Sequence, residues 1–345
     1  MALLKTLKSK QSSFYHTIFL PLVLQIKITQ MKRIFLIPLA FLISCGTVKT
    51  TQNTAQGGDQ LLKDVEVLAS DAYEGRKTGT KGAEMARTYL TGRLKEIGLK
   101  PYPGQAGYEQ NFEIKGRNGA AAIQGKNLIA YVPGKTENVI VISAHYDHIG
   151  VIKNEVFNGA DDNASGTAAL LQFAKYFAKN KPNNTLIFAL FDGEEMGLQG
   201  AKAFVANPPV ALDKIKLNIN MDMISHNDKR ELYAVGTFKY PQLKPFLVTT
   251  NPNLKLLLGH DDPKMGQDDW TNQSDQGAFN AKNIPFIYFG VEDHKDYHKA
   301  TDEYQNINKT FFVDAANAIQ EVILNIDKQR DIQAIFRETL QMKKQ

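Results

Sequence analysis

The chain has 345 residues, 43% hydrophobic and 22% charged, with 25 Gly, 13 Pro and one Cys. That is ordinary globular composition, long enough for one large α/β domain or two small ones, and a single cysteine excludes an intrachain disulfide. The net charge is +5, but the first 45 residues hold six Lys/Arg and no acid, leaving 35 basic against 36 acidic residues, so the basic balance does not argue for a nucleic-acid partner.

The chain opens on a leader. In "MKRIFLIPLAFLISCGT", Lys32 and Arg33 precede an apolar run from Ile34 to Ile43. The run is shorter than the roughly 20 residues of a spanning helix and fits the core of a signal peptide. Its end, Leu42-Ile43-Ser44-Cys45, resembles a bacterial lipobox. That resemblance implies lipid modification of Cys45 and an exported protein anchored to the bacterial cell envelope, at the outer membrane or its periplasmic face. The expected organisation is a leader over 1–45, with Met31 as a candidate start, and a polar tether over 46–58. One domain over 59–330 and a solvated helical tail over 331–345 follow.

Periodicity begins at Leu61. "LLKDVEVLAS" reads as a short helix, and over 83–97 Ala86, Leu90, Leu94 and Ile97 share one helical face that ends at Gly98. Strands are expected over Asn127–Val132, Asn138–Ser143, Thr185–Phe191, Leu217–Met223, Glu231–Val235 and Pro285–Gly290, with helices over Gly166–Lys179, Gly200–Ala206 and Asn308–Ile326. Continuous apolar strands alternating with amphipathic helices imply an α/β fold with a mixed, mostly parallel sheet covered on both faces. In such sheets ligands gather at the carboxyl ends of the strands.

Those strand ends carry acids and histidines. "TLIFALF" runs into Asp192, Gly193, Glu194 and Glu195; "VIVISA" into His145, Asp147 and His148; "LNINM" into Asp222; and Gly290 is followed by His294, Tyr297 and His298. "FNGADDNASG" adds Asp161 and Asp162 just before a helix. Buried charges without partners cost several kcal/mol each. Imidazole and carboxylate without cysteine form a ligand set for zinc, or with less preference manganese or cobalt. Two metals would need a bridging carboxylate, and an unligated one nearby would serve as base. One of Glu194 and Glu195 then binds metal while its neighbour handles protons.

From "LASDAYEGRKTGTKG" to "YHKATDEY" these motifs resemble the co-catalytic zinc exopeptidases, which include secreted bacterial aminopeptidases, glutamate carboxypeptidase II and glutaminyl cyclase. The resemblance implies a three-layer α/β/α fold and two zinc ions. His145 and Asp222 would bind one, Glu195 and His298 the other, and Asp162 would bridge them. Glu194 would be the general base for a water held by the two metals, Asp147 would orient the His145 imidazole, and Tyr297 would donate to the oxyanion. His148, His294, Ser274 and Asp275 are substrate-contact candidates. "QSDQGAF" departs from the family's Ser-Asp-His, with Gln276 in place of the histidine, which puts substrate positioning near Ser274 and Asp275 in doubt. Tyr73-Glu74-Gly75-Arg76 suggests packing or a rim of the site.

Each feature alone has a plainer reading: a strand-end histidine is usually a satisfied polar residue, and adjacent glutamates suit a helix's first turn. Their ordered combination favours metal. The expected function is removal of N-terminal residues from peptides. The rivals are a single-zinc glutaminyl cyclase, a carboxypeptidase on the same fold, and a catalytically inactive binding module. No P-loop, dinucleotide fingerprint or Gly-x-Ser-x-Gly elbow competes with this reading.

Overall fold

The computed structural model describes residues 55–116 and 119–336. Cys45, Met31 and the expected leader lie outside the described residues, as do 46–54 of the expected tether and 337–345 of the tail. Helix α1 (Ala55–Leu68) takes up the rest of that tether and is followed by α2 (Lys81–Ile97). The α2 helix is capped by Thr80, whose hydroxyl accepts from the Ala83 N–H, and it ends at a left-handed Gly98.

The strands are β1 (Glu109–Ile114), β2 (Ile123–Val132), β3 (Val139–His145), the small hairpin β4 (Gly150–Ile152) and β5 (Glu155–Phe157), β6 (Thr185–Phe191), β7 (Ile215–Met221), β8 (Glu231–Val235), β9 (Lys255–Leu258) and β10 (Phe286–Gly290). Among them lie α3 (Gly166–Lys179), α4 (Gln199–Ala206) and α5 (Gln276–Asn280), and α6 (Lys309–Asp327) follows the last strand. The main sheet has eight strands in the order β1-β2-β6-β3-β7-β10-β8-β9. Its centre, β6-β3-β7-β10, is parallel throughout, while β1-β2, β2-β6 and β10-β8 pair antiparallel. The sheet is therefore mixed and mostly parallel, as the continuous apolar strands imply.

A large core on one face joins Leu90 and Leu94 of α2, Leu170 and Phe173 of α3, and Phe311, Ile319 and Ile323 of α6 to the sheet; it also takes in Ile332. Phe204 of α4 and Phe279 of α5 pack with Val141 and Ile187 on the other face. Parallel β6, β3, β7 and β10 thus end along one edge, where Phe191, His145, Met221 and Gly290 lie.

The segment before α2 does more than pack. Arg76 is fully buried (0% exposed). Its guanidinium donates to the carbonyls of Tyr146 (2.8 Å), Leu68 (2.7 Å), Asn158 (2.5 Å) and Gly159 (2.9 Å). It ties the end of α1 to the turn after β3 and to the loop before Asp161, so it lies beneath the site and does not form its rim. Burial pulls its pKa down to about 10, opposed by the carboxylates of Asp302, Asp162, Asp147 and Glu195, and it stays cationic. Arg76→Met is expected to cost about 3–5 kcal/mol, read as a fall in the urea midpoint. Arg76→Lys, which keeps the charge but loses the planar fork, should fall between wild type and Met. A Met variant as stable as wild type would show that Arg76 clamps nothing.

Candidate metal centre and active-site cleft

Five separate segments bring their polar residues to the edge where the parallel strands end. His145 closes β3, and its Nε2 lies 3.1 Å from Asp222 Oδ1, just past β7, and 3.4 Å from Asp162 Oδ1. Asp162 Oδ2 lies 3.1 Å from His298 Nε2, which is also 3.5 Å from Glu195 Oε2. The ligand atoms therefore form two groups: His145, Asp162 and Asp222, and His148, Asp162 and Glu195 with His298 beside them. Asp162 is common to both, which is the placement a bridging carboxylate requires.

The charge arrangement fits a cation. Burial alone would lower the His145 pKa, but the Asp222 carboxylate, with Asp147 and Glu194, holds it well above the usual imidazole value. Burial raises Asp162, with repulsion from Glu195 adding to it. Burial also raises Glu195, against the pull of His145 and His298. Burial pushes His148 down to about 4, so it is neutral near pH 7. His148 Nδ1 lies 2.8 Å from Glu195 Oε1 without hydrogen-bond geometry, and both atoms are buried with no other partner. Lone pairs facing one another across such gaps are what a divalent cation would satisfy, and the donor chemistry is that of zinc.

The loop carrying Asp162 is tightly fixed. Gly159 has φ +56, and a Cβ there would stand 2.0 Å from the Asp162 carbonyl and 2.6 Å from the His148 ring. Asp302 accepts the N–H groups of Asp161 (2.8 Å) and Asp162 (3.0 Å). The strand-end acid Asp192 accepts from the Thr78 hydroxyl and the Lys126 N–H, so it braces the edge from behind.

Asp147 lies against both His145 and the paired glutamates. His145 Nδ1 meets the Asp147 backbone carbonyl at 3.2 Å, with the carboxylate 3.7 Å away. That carboxylate accepts the N–H groups of Glu194 (3.1 Å) and Glu195 (3.4 Å), so it holds the paired glutamates.

Beside the metal centre lies a cleft of about 380 Å³. Asp162, Glu194, Glu195, Asp222, Asp293 and His298 line it, with Leu198, Met223, Trp270, Tyr288, Val291 and Tyr297 as apolar wall; no lysine or arginine does. Among the described residues the Glu194 carboxylate accepts no side-chain or backbone hydrogen bond. Burial pushes it well above the usual carboxyl range, with His145 opposing and Asp222, Asp275 and Glu195 adding repulsion. Leu198 (φ 60), Met223 (φ 58) and His298 (φ 53) all stand in the left-handed region, where non-glycine residues are uncommon. A larger cavity of about 820 Å³ lies among α1, α3 and α6, but no candidate residue lines it, so chemistry and not size locates the site.

None of the four substrate-contact candidates lines this cleft. His148 is fully buried in the second ligand group. Ser274 hydrogen-bonds Asp222 and accepts from the Asn220 side chain. Asp275 is fully buried, and burial with repulsion from Asp147 and Asp222 raises it to about 8, against His145. His294 faces Asp161 and His226. Gln276 is likewise internal: its amide donates to the Trp270 carbonyl and its oxygen accepts from Asn220, fixing the cleft wall to β7. Trp270, Leu198, Met223 and Tyr288, which do line the cleft, escape sequence reasoning. The one local signal is Trp270, the sole tryptophan, in the acidic stretch "GHDDPKMGQDDWTNQSD".

Among curated proteins, leucine aminopeptidase 1 of Arthroderma otae is 33% identical over 179 residues, 49% of this chain and 45% of its own length. A vacuolar membrane protease of Schizophyllum commune is 26% identical over 185 residues, 45% of this chain and 20% of its own. The chain therefore spans less than half the length of these relatives. Of solved structures, an aminopeptidase from Aneurinibacillus sp. strain AM-1 superimposes with a TM-score of 0.60 at 16% identity, covering 78% of this chain and 94% of that one. Porphyromonas gingivalis glutaminyl cyclase does so with a TM-score of 0.60 at 21% identity, covering 79% and 98%. These two establish the fold, a zinc-exopeptidase-like α/β/α sandwich. The pattern of peptidase family M28 matches residues 127–323, a stretch that carries every candidate ligand from His145 to His298, and the chain belongs to that family.

Proposed function

We propose that this protein is a zinc-dependent exopeptidase that removes N-terminal residues from peptides. The observation that carries the reading is the sign of charge in the cleft. It is lined by acids, including Asp293 outside both ligand groups, and by no lysine or arginine. With Asp162, Asp222 and Glu195 given to metal, Glu194 and Asp293 remain to pair with a peptide's free ammonium, and no lysine or arginine lines the cleft to pair with a free C-terminal carboxylate. This favours an aminopeptidase over a carboxypeptidase.

In this reading His145 and Asp222 hold one zinc, Glu195 and His298 the other, and Asp162 both, with His148 a further candidate ligand. When bound, zinc polarises a carbonyl oxygen and makes water acidic enough to attack near neutral pH. Glu194 takes the attacking water's proton and delivers it to the leaving amine, a transfer worth about 10²–10⁴-fold. Asp147 fixes the Glu194 main chain, and Tyr297, in the cleft wall, donates to the developing oxyanion. The apolar wall accommodates the departing residue's side chain and excludes water.

Three substrates separate the rivals: aminoacyl-anilides, peptides with an N-terminal glutamine, and peptides blocked at the N-terminus. The zinc-loaded full chain should release aniline, stop with chelator and recover with zinc. Glu194→Gln should lower kcat by about 10²–10⁴-fold while zinc content is unchanged. Cyclisation of the glutamine peptide without hydrolysis would transfer the protein to the cyclases. Cleavage of blocked peptides from the C-terminus would overturn the aminopeptidase reading.

Export and anchoring through Cys45 remain part of the proposal on the strength of the sequence pattern. Among the described residues no helix is long and apolar enough to cross a membrane. The name of the fungal relative puts that protein at a vacuolar membrane and does not speak to a lipid anchor. Cys45→Ser should move the protein from the membrane fraction to the soluble one; unchanged partitioning would exclude a lipid on Cys45.

A further inference from the structure

We infer that His226, His294 and Asp296 form a second cation site, apart from the catalytic cleft, that takes zinc. None of the three lines the cleft. One ligand-capable atom from each lies within 4.8 Å of the others. His226 comes from the loop after β7, His294 and Asp296 from the loop after β10.

Two independent features point to a ligand. The first is an orphan: His226 is buried (8% exposed), and its Nδ1 has no hydrogen-bond partner. That atom is 3.8 Å from Asp296 Oδ2. The gap is too long for a hydrogen bond, yet close to the roughly 3.4 Å between two ligands on one tetrahedral zinc with bonds of about 2.0–2.1 Å. The second is a carboxylate placed behind an imidazole. His294 Nε2 lies 2.9 Å from Asp161 Oδ2, while Asp161 Oδ1 accepts from the Ser225 N–H (2.6 Å) and hydroxyl (2.7 Å). Such an outer carboxylate fixes the tautomer in which the other ring nitrogen carries the lone pair, which a metal would take over from a long hydrogen bond. That nitrogen, Nδ1, has only the Asp296 N–H at 3.3 Å.

The rings of His226 and His294 stack with centroids 3.9 Å apart and planes 22° from parallel, so a cation would draw their in-plane lone pairs together by turning one ring out of the stack. Thr301 donates to Asp296 Oδ1 at 2.7 Å and orients the carboxylate. The Lys295 ammonium lies 3.0 Å from Oδ2, but its side chain is 78% exposed and free to swing away. Two imidazoles and one carboxylate select zinc over calcium or magnesium, which prefer all-oxygen sites, and water completes the shell. The site is structural in consequence. Asp161 and Asp162 are adjacent, so a cation drawing in His294 also fixes the loop that carries the carboxylate common to both catalytic groups.

Zinc content of the purified full chain, measured by elemental analysis after dialysis against buffered zinc, tests this without reference to activity. His226→Ala should lower it by one equivalent per chain. Asp222→Asn/His298→Ala, which disarms the cleft, should keep one equivalent and lose it when His226→Ala is added. The second comparison stands even if the cleft binds no zinc and the peptidase reading fails. If His226→Ala does not fold, Asp296→Asn, which retains the Thr301 contact, makes the same comparison. Equal zinc content in folded wild type and variant would overturn the site.

Discussion

Like charges in a confined, poorly solvated space govern this structure. Asp147, Asp162, Asp192, Asp222 and Asp275 are buried along one sheet edge, and Glu194 and Glu195 stand with them. Parallel strands bring them together because every strand of the central four ends on the same side. Without compensation such a cluster is strongly destabilising. Hydrogen bonds relieve the outer members: Asp192 through Thr78 and Lys126, Asp147 through the two glutamate amides. The inner members face histidines, and there the remaining negative charge is concentrated.

Among the described residues Arg76 is the fully buried arginine beneath this edge, and it contacts carbonyl oxygens instead of the carboxylates. It can therefore offset the site's negative potential without occupying the coordination positions. Asp302 works from the opposite direction, drawing the amides of Asp161 and Asp162 towards itself so that their side chains point two ways. One carboxylate goes to His294, the other to His145 and His298. A single loop thus carries the carboxylates that face two histidine clusters.

Much of this is legible in the sequence, for identifiable reasons. Doubly buried strands are unbroken apolar runs, so Thr185–Phe191 and Glu231–Val235 agree with the structure to the residue, as does the helix Gly166–Lys179. Strands β1 and β9, the β4–β5 hairpin and the five-residue α5 are too short or too exposed to carry a period. Ligand-type residues stand out because charge at the end of an apolar run is anomalous. Cleft walls have no such anomaly: Leu198, Met223 and Tyr288 read as ordinary core residues, and only long-range folding turns them towards the cavity. For the same reason Ser274, Asp275, His148 and His294, polar and close in sequence to the ligands, lie behind the surface that a substrate would meet.

The likeness to both an aminopeptidase and a glutaminyl cyclase makes the fold a poor guide to the reaction. Both chemistries need a substrate's free amino terminus held near a metal, so an acidic cleft without lysine or arginine serves either. They differ in whether water attacks a peptide bond or the terminal amine attacks its own side chain. A cyclase must exclude water from the carbonyl; a peptidase must admit it beside a base. Here Glu194 lines a cleft rich in acids, and among the described residues its carboxylate accepts no hydrogen bond. A carboxylate without a hydrogen-bond partner beside open space is what the proposed hydrolysis requires of its base, and on that physical ground, not on likeness, we propose hydrolysis over cyclisation.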